Sequence, residues 1–311
     1  MYAQRWAILP LVKLTLCTLV YVLLTWGAYA QSPDLVAKRI SGNSRIARVQ
    51  EALSADYNGI VADTRRLTEI STQDAWLAAC ADALLRSSLD MNSASQEGSV
   101  VGVRRGSGTG PVLVVAVHAP SYTQRDKVVV SMQGSRLSGP GIASNLSAAM
   151  LLGIVRALKT VGVNTTSDIL FVVVAGTADE RRVRIQALLE SDPYRGRVTS
   201  FIALQAGPEH EITNSSPATA IYPAAATHVS RNVVQLGAEV IKRYGSEPIY
   251  KGGATDAGAA MAMGIPAIAL GSGAFGEQSS VANEWIDIEP ATALRPSLIA
   301  TTLVLSLAGI R

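Results

Sequence analysis

The sequence predicts an α/β protein with a mixed, mostly parallel central sheet and helices on both faces. Three observations predict this fold class. Short apolar runs alternate with amphipathic helical stretches along most of the chain, and a helical segment without proline precedes them. The chain has 311 residues, of which 48% are hydrophobic, so it can bury one large core.

The first 30 residues have the pattern of a secretory signal peptide. An apolar run follows Arg5 and Lys13 and ends in Ala28-Tyr29-Ala30, the small-x-small pattern that signal peptidase accepts. We expect cleavage before Gln31, a single mature domain over residues 31–311, a periplasmic or secreted location and no membrane contact after cleavage. A retained anchor is the alternative, since Ala7–Ala30 meets the roughly 20 residues needed to span a bilayer.

Charge and cysteine content exclude some classes of function. The chain has 27 basic and 24 acidic residues, which gives no electrostatic reason to expect nucleic acid as a partner. Cys80 is the only cysteine beyond the signal segment, so the mature chain cannot form an internal disulfide. We expect Cys80 to lie in the core.

The predicted elements begin with a helical layer over Ser44–Leu89. The predicted strands are Ser99–Arg104, Pro111–His118, Val128–Met132, Asp168–Ala175, Thr199–Gln205 and Ala267–Leu270. The predicted helices are Asn145–Val161 with Ser144 as its N-cap, Val229–Tyr244, a short helix after Thr255-Asp256, and Pro290–Gly309.

Six segments, read in chain order, resemble one known series. They are GPVLVVAVHAPSY at 110–122, LSGPGIASNLSAAMLLGIVRAL at 137–158, DILFVVVAGTADE at 168–180, FIALQAG at 201–207, GGATDAGAAMAMGIPAIALGSG at 252–273 and NEWID at 283–287. The chain resembles the co-catalytic zinc peptidases related to peptidase T, carboxypeptidase G and acetylornithine deacetylase. The resemblance implies a phosphorylase/hydrolase-like core.

In that family a His at a strand end binds one zinc ion, and an Asp two residues further on orients this His. His118 stands at the first position and Pro120 at the second. The metal-bridging Asp of the family corresponds to Ser144. A hydroxyl group cannot replace a carboxylate that bridges two dications.

The remaining family positions are also changed. Thr177 and Ala178 stand where the family has a Glu-Glu pair, the general base and a metal ligand. Gln205 replaces an acidic ligand and Ser280 replaces the last His. Only His118 keeps the residue type of a metal ligand, so we expect no zinc and no other cofactor, although the family would use two zinc ions.

The resemblance also implies a missing lid. Many members carry a second domain after the Phe-Ile-Ala-Leu strand, often used for dimerisation. Here only about 20 residues, Glu209 to Val229, separate that strand from the next helix. We therefore expect a monomer without the lid insertion.

Two features leave alternatives open. Asp179 and Glu180 would supply an acidic pair after a two-residue shift, although Thr177 and Glu180 also fit a capping box. We interpret the neighbouring Arg181, Arg182 and Arg184 as a solvated helix face.

His118 is interpreted as a hydrogen-bonding residue at a strand end, and the alternative is a place in a ligand pocket. A Ser-His-Asp triad containing His118 and Asp256 can be written on paper, but no Gly-x-Ser-x-Gly elbow supports it. Thr255-Asp256 matches a loop near the active-site rim of the family it resembles, but we interpret the pair as an ordinary helix cap.

Three functions remain in view. The first is an exported, catalytically inactive pseudoenzyme with a peptide or a protein as its partner. The second is an active metallopeptidase or amidohydrolase whose site uses Asp179 or Glu180. The third is a membrane-anchored interaction protein.

Overall fold

The computed structural model describes residues 43–87, 90–91, 98–107, 110–120, 129–206, 219–222, 230–250, 255–272, 284–287 and 293–310. The helices in these ranges are α1 (Ser44–Ala55), α2 (Tyr57–Thr68), α3 (Gln73–Arg86), α4 (Ile142–Val161), α5 (Ala178–Glu190), α6 (Arg231–Arg243), α7 (Asp256–Ala262) and α8 (Leu294–Ala308). The strands are β1 (Asp90–Met91), β2 (Ser99–Arg104), β3 (Val112–His118), β4 (Ser131–Gln133), β5 (Arg136–Gly139), β6 (Asp168–Val174), β7 (Val198–Ala206), β8 (Thr219–Tyr222), β9 (Pro248–Tyr250), β10 (Ala267–Ser272) and β11 (Glu284–Asp287). The predicted signal segment, residues 1–30, lies outside the described residues.

The main sheet has eight strands in the order β1-β2-β6-β3-β7-β10-β8-β9. Its centre, β6-β3-β7-β10, is parallel, and β8 pairs with β9 in parallel as well. The pairs β1-β2, β2-β6 and β10-β8 are antiparallel. The sheet is therefore mixed and mostly parallel, which confirms the predicted fold class.

The central strands are continuous apolar runs because both of their faces are covered. Every residue of β3 and of β6 is buried. Helix crossovers place helices on both faces of a parallel sheet, so such strands do not alternate between apolar and polar residues. Because of this burial, the predicted bounds of β3 and β6 agree with the observed bounds to within one residue.

The two faces of the sheet carry different numbers of helices. One face packs against α1–α4, α6 and α8 in the larger core cluster. The other packs against α5 and α7 in the smaller cluster. The predicted N-terminal helical layer is confirmed as α1–α3, and Cys80 on α3 is fully buried, as expected.

Helix α4 is the central helix of the larger cluster, with most of its residues buried. In the described part of the chain it is the one helix that is long and apolar enough to cross a membrane, yet 83% of its most apolar window is buried inside the protein. A methyl group on Gly153 would lie 2.8 Å from Ile60, so glycine allows α2 to approach closely.

The predicted start of α4 was wrong. The helix begins three residues early, after Gly141, which has a positive φ of 63° and makes no side-chain cap. Ser144 therefore lies inside the first turn and is not the N-cap. The glycine supplies the left-handed conformation at which the chain enters the helix, and this outweighed the capping preference of serine.

A second, small sheet was not predicted. It contains β4, β5 and β11, all paired antiparallel. The predicted strand Val128–Met132 is displaced to β4, and residue 128 lies outside the described part. Short, partly exposed strands have no continuous apolar run and so leave a weak sequence signal.

Candidate functional site

The carboxyl ends of the parallel strands bring two of the predicted positions side by side. Ala116 of β3 pairs with Ala203 of β7, so His118 and Gln205, two residues further on, lie at the same level on adjacent strands. Both follow residues of the smaller core cluster at two-residue spacing, so both side chains lie on the α5/α7 face. Sites of open α/β sheets form at this edge.

His118 belongs to a buried chain of charged and polar groups. Its Nδ1 lies 3.0 Å from Oδ2 of Asp256, the first residue of α7. Arg181, on α5, donates from Nε to Oδ1 of Asp256 at 3.0 Å and from Nη1 to the carbonyl oxygen of Gly176 at 2.9 Å. The carboxylate accepts hydrogen bonds only, so Nδ1 of His118 carries the proton in this contact.

Asp256 is ionised over the whole physiological range. Burial by itself raises the pKa of this carboxyl group, but the attraction and hydrogen bonds of His118 and Arg181 outweigh burial and lower the pKa to about 2. The Asp256 side chain is 7% exposed and that of Arg181 is 12% exposed. The cluster therefore contains a permanent buried ion pair.

The first turn of α4 borders the same edge from the opposite face of the sheet. Ser144 is buried there. Ser147 accepts a hydrogen bond from the backbone N–H of Ala206 at 2.7 Å, which fixes the helix to the end of β7. The next residue after Ser144, Asn145, accepts from Trp76 Nε1 at 2.8 Å and donates to Thr68 Oγ1 at 3.0 Å, so α4 is also tied to α2 and α3.

Pro120 occupies the family position of the orienting Asp and packs against the start of α4. A Cβ atom on Gly141 would lie 2.1 Å from Cβ of Pro120. Asp256 gives His118 a carboxylate partner from a different element, α7, on the other side of the sheet.

Thr177 and Ala178 begin α5. Thr177 is the N-cap, and its hydroxyl accepts from the N–H of Glu180 at 3.4 Å. The Glu180 carboxylate accepts from the N–H of Thr177 at 2.7 Å, so the predicted capping box is present. These hydrogen bonds lower the pKa of Glu180. The Asp179 side chain is 90% exposed and contacts Arg182.

Sequence reasoning misassigned two residues of the cluster. Arg181 was grouped with a solvated helix face, but its side chain is inside, whereas Arg182 is exposed. Asp256 was interpreted as part of a helix cap, but it contacts His118, and Thr255 makes no capping hydrogen bond. A signal was available: Arg181 lies four and seven residues before the buried Ile185 and Leu188, on the same stripe of α5.

The residues at this edge do not fit two zinc ions. Ser144, Ala178 and Gln205 are uncharged, and the Asp256 carboxylate is already bonded through both oxygens. In the described ranges no three His, Cys, Asp or Glu side chains form a group that could hold a metal ion. Ser280 lies outside those ranges. Cys80 offers no alternative, since burial raises the pKa of its thiol to about 12.

The fold is similar to those of solved aminopeptidases. Aminopeptidase PepT from Bacillus cereus aligns with a TM-score of 0.60 at 11% identity, over 81% of this chain and 99% of that one. LapA aminopeptidase from Legionella pneumophila aligns with a TM-score of 0.63 at 14% identity, over 84% of this chain and 74% of that one. An aminopeptidase from the archaeon Desulfurococcus kamchatkensis aligns with a TM-score of 0.60 at 13% identity, over 80% of this chain and 95% of that one.

These likenesses establish the fold. The sequence matches no family model and is not detectably similar to any curated protein. The chain has the fold of the co-catalytic zinc peptidases, as the sequence resemblance implied. Fold alone does not carry activity, which depends on the groups present at the site.

Proposed function

We propose that this chain is an exported, non-hydrolytic protein of the zinc-peptidase fold, a pseudoenzyme whose sheet edge binds a peptide or a protein segment. One observation carries the proposal. The carboxylate beside His118, that of Asp256, is neutralised by an internal arginine and has both oxygens in use. Two zinc ions about 3.5–4 Å apart need several free carboxylates.

The placement of the neighbouring acids supports the same conclusion. Asp179 extends into solvent and pairs with Arg182, and Glu180 closes a capping box. A rearranged metallopeptidase site would need these carboxylates to leave those partners and approach His118. The uncharged Ser144 and Gln205 supply nothing to compensate for a dication.

Export and the monomeric state belong to the same proposal. The signal pattern ending at Ala30 supports a mature chain that begins at Gln31 in the periplasm or outside the cell. The short connection between β7 and α6 supports a monomer, because the lid that often forms dimers has no counterpart of comparable length. Amino-terminal sequencing and analytical ultracentrifugation test these two points, and recovery of intact Met1 in detergent-extracted membranes would favour the anchored alternative.

The hydrolytic test uses the mature chain, residues 31–311. The protein is incubated with zinc, cobalt and manganese in turn, its metal content is measured, and aminopeptidase and carboxypeptidase substrates are supplied with and without chelator. We expect no stoichiometric metal and no turnover. A two-zinc aminopeptidase, handled identically, is the positive control.

Variants separate the competing outcomes. Two equivalents of metal with chelator-sensitive turnover would overturn the proposal. Loss of that turnover in Asp179→Ala or Glu180→Ala would show that these acids act as metal ligands or as the general base. Chelator-insensitive turnover abolished by His118→Ala would replace the proposal with hydrolysis around the His118–Asp256 pair, with the imidazole as general base.

A further inference from the structure

Two buried polar atoms at the site have no hydrogen-bond partner among the residues that the structure describes. They are Oε1 of Gln205 and the hydroxyl oxygen of Thr255. Gln205 is 6% exposed, so its amide oxygen cannot obtain this bond from bulk solvent. A buried acceptor without a donor destabilises the folded state, and such groups in native proteins call for a specific explanation.

Both atoms belong to residues that adjoin the His118–Asp256 pair, Gln205 on the neighbouring strand and Thr255 along the chain. Gln205 lies level with His118 on the adjacent strand and on the same face of the sheet. Thr255 directly precedes Asp256, whose carboxylate contacts His118. Of the four buried side-chain atoms without a hydrogen-bond partner in the described residues, two therefore belong to residues at the edge where an α/β sheet binds its ligand.

The charges in this cluster restrict the ligand. Arg181 and Asp256 neutralise each other, and both oxygens of Asp256 are engaged, by Arg181 and His118. A ligand ammonium group would donate to Gln205 but would remain an uncompensated buried charge. A ligand carboxylate would offer Gln205 Oε1 no donor and would face an arginine already bound to Asp256. Burying such a charge is costly, so an uncharged donor fits best.

We propose that Gln205 Oε1 and the Thr255 hydroxyl bind an uncharged amide group of a ligand, with the ligand N–H donating to Gln205 and the hydroxyl bonding the same ligand. An amide offers a donor and an acceptor together, which matches an acceptor and a hydroxyl at the same edge of the sheet. This inference rests on the proposed peptide-binding function and sharpens it: the recognised group is an internal or blocked amide, and not a charged amino terminus.

The binding test uses the mature protein and two small probes, N-acetylalanine methylamide and its unblocked analogue, alanine methylamide. Binding is followed by titration with nuclear magnetic resonance of the protein. We expect saturable binding of the blocked probe, with a Kd about tenfold lower than that of the unblocked probe. Gln205→Met keeps the side-chain shape without the oxygen and should raise the Kd of the blocked probe about tenfold.

Matched variants show whether the effect belongs to these atoms. Thr255→Val keeps the shape of Thr255 and should also weaken binding, whereas Gln133→Met, at an exposed position of β4, should leave the Kd unchanged. Gln205→Met should at the same time raise the Tm by roughly 2–4 °C, because it removes an unpaired buried oxygen. Weaker binding with higher stability is the signature of a residue kept for a ligand.

The outcomes separate this inference from the proposed function. The inference is overturned if the blocked probe does not bind up to its solubility limit, if the unblocked probe binds as tightly, or if Gln205→Met binds like the wild type. The probe spectra also report hydrolysis. Chelator-sensitive release of methylamine would overturn the proposed function itself, while an intact, unbound probe would overturn only the inference.

Discussion

The two ends of the parallel strands each contain a buried aspartate, but among the described residues the carboxyl end also has a buried side-chain oxygen without a hydrogen-bond partner. At the amino end of β6, Asp168 accepts from the N–H of Gly106 at 2.7 Å and from Arg105 and Arg197 at 3.4 Å each. At the carboxyl end, Asp256 is equally well bonded, yet the nearby Gln205 oxygen has no partner within the described structure.

The difference separates groups that hold the fold from groups that serve a ligand. At the amino edge the backbone packs closely around Gly106, where an added Cβ would lie 2.6 Å from the backbone of residue 167. The carboxyl edge combines a rigid ion pair with an unfilled acceptor. Stability and ligand binding should therefore respond differently to substitutions at the two edges.

The largest effect is expected for Asp256→Ala. It leaves Arg181, which is 12% exposed, without its counter-ion, so the free energy of unfolding should fall by about 3–5 kcal/mol in urea titrations. The control is Asp179→Ala, on a side chain that is 90% exposed, with an expected change within about 0.5 kcal/mol. Similar losses in both variants would contradict the contrast between buried and exposed ion pairs.

The pH dependence of stability tests the same carboxylate. The folded pKa of Asp256, about 2, lies below the unfolded value of about 3.9, so its contribution is present above the unfolded pKa and is lost as the pH falls towards 2. Between pH 5 and pH 2 the wild type should lose about 2–3 kcal/mol more than Asp256→Asn in urea titrations. Parallel stability curves for the two proteins would show that Asp256 is not ionised in the way we describe.

At the amino edge, Asp168→Asn should cost about 1–2 kcal/mol of unfolding free energy. The amide oxygen can still accept from Gly106, while Arg105 and Arg197 are exposed enough to turn towards water. The Kd of N-acetylalanine methylamide should not change. A higher Kd would mean that the two edges are energetically coupled, and would contradict the separation of a structural edge from a ligand-binding edge.

The smallest effect is expected for Thr177→Ala, which removes the cap of α5. Loss of an N-cap typically costs about 1 kcal/mol, and Thr177→Ser should retain most of it. Thermal unfolding of the three proteins measures the difference. An unchanged probe Kd would confine Thr177 to a structural role, although it lies at the carboxyl edge.

Continuous burial explains which parts of the fold could be predicted from the sequence. Strands such as β3 and β6 are apolar along their whole length, and the capping box of α5 is a local pattern between Thr177 and Glu180. The small sheet and the start of α4 depended on short strands and on the positive φ of Gly141, which give weak signals.

The site was less accessible because its contacts join distant parts of the chain. The sequence indicated His118 and Gln205 through strand ends, but the partner of His118 is 138 residues away on α7. Whether an arginine near a helix start faces inward depends on the element packed against it. The sequence therefore indicated a surface charge at Arg181, whereas in the structure α7 places Asp256 beside it.

The bond from Asp256 to Nδ1 of His118 has a consequence for redesign. In zinc proteins an outer carboxylate commonly orients a histidine ligand. This chain already contains such a carboxylate in Asp256. What it lacks is negative charge at Ser144, Ala178 and Gln205 together. A single carboxylate at the buried Ser144 or Gln205 would be an unpaired buried anion, whereas Ala178 is exposed, so the route back to a metal centre requires the changes at Ser144 and Gln205 to be made together.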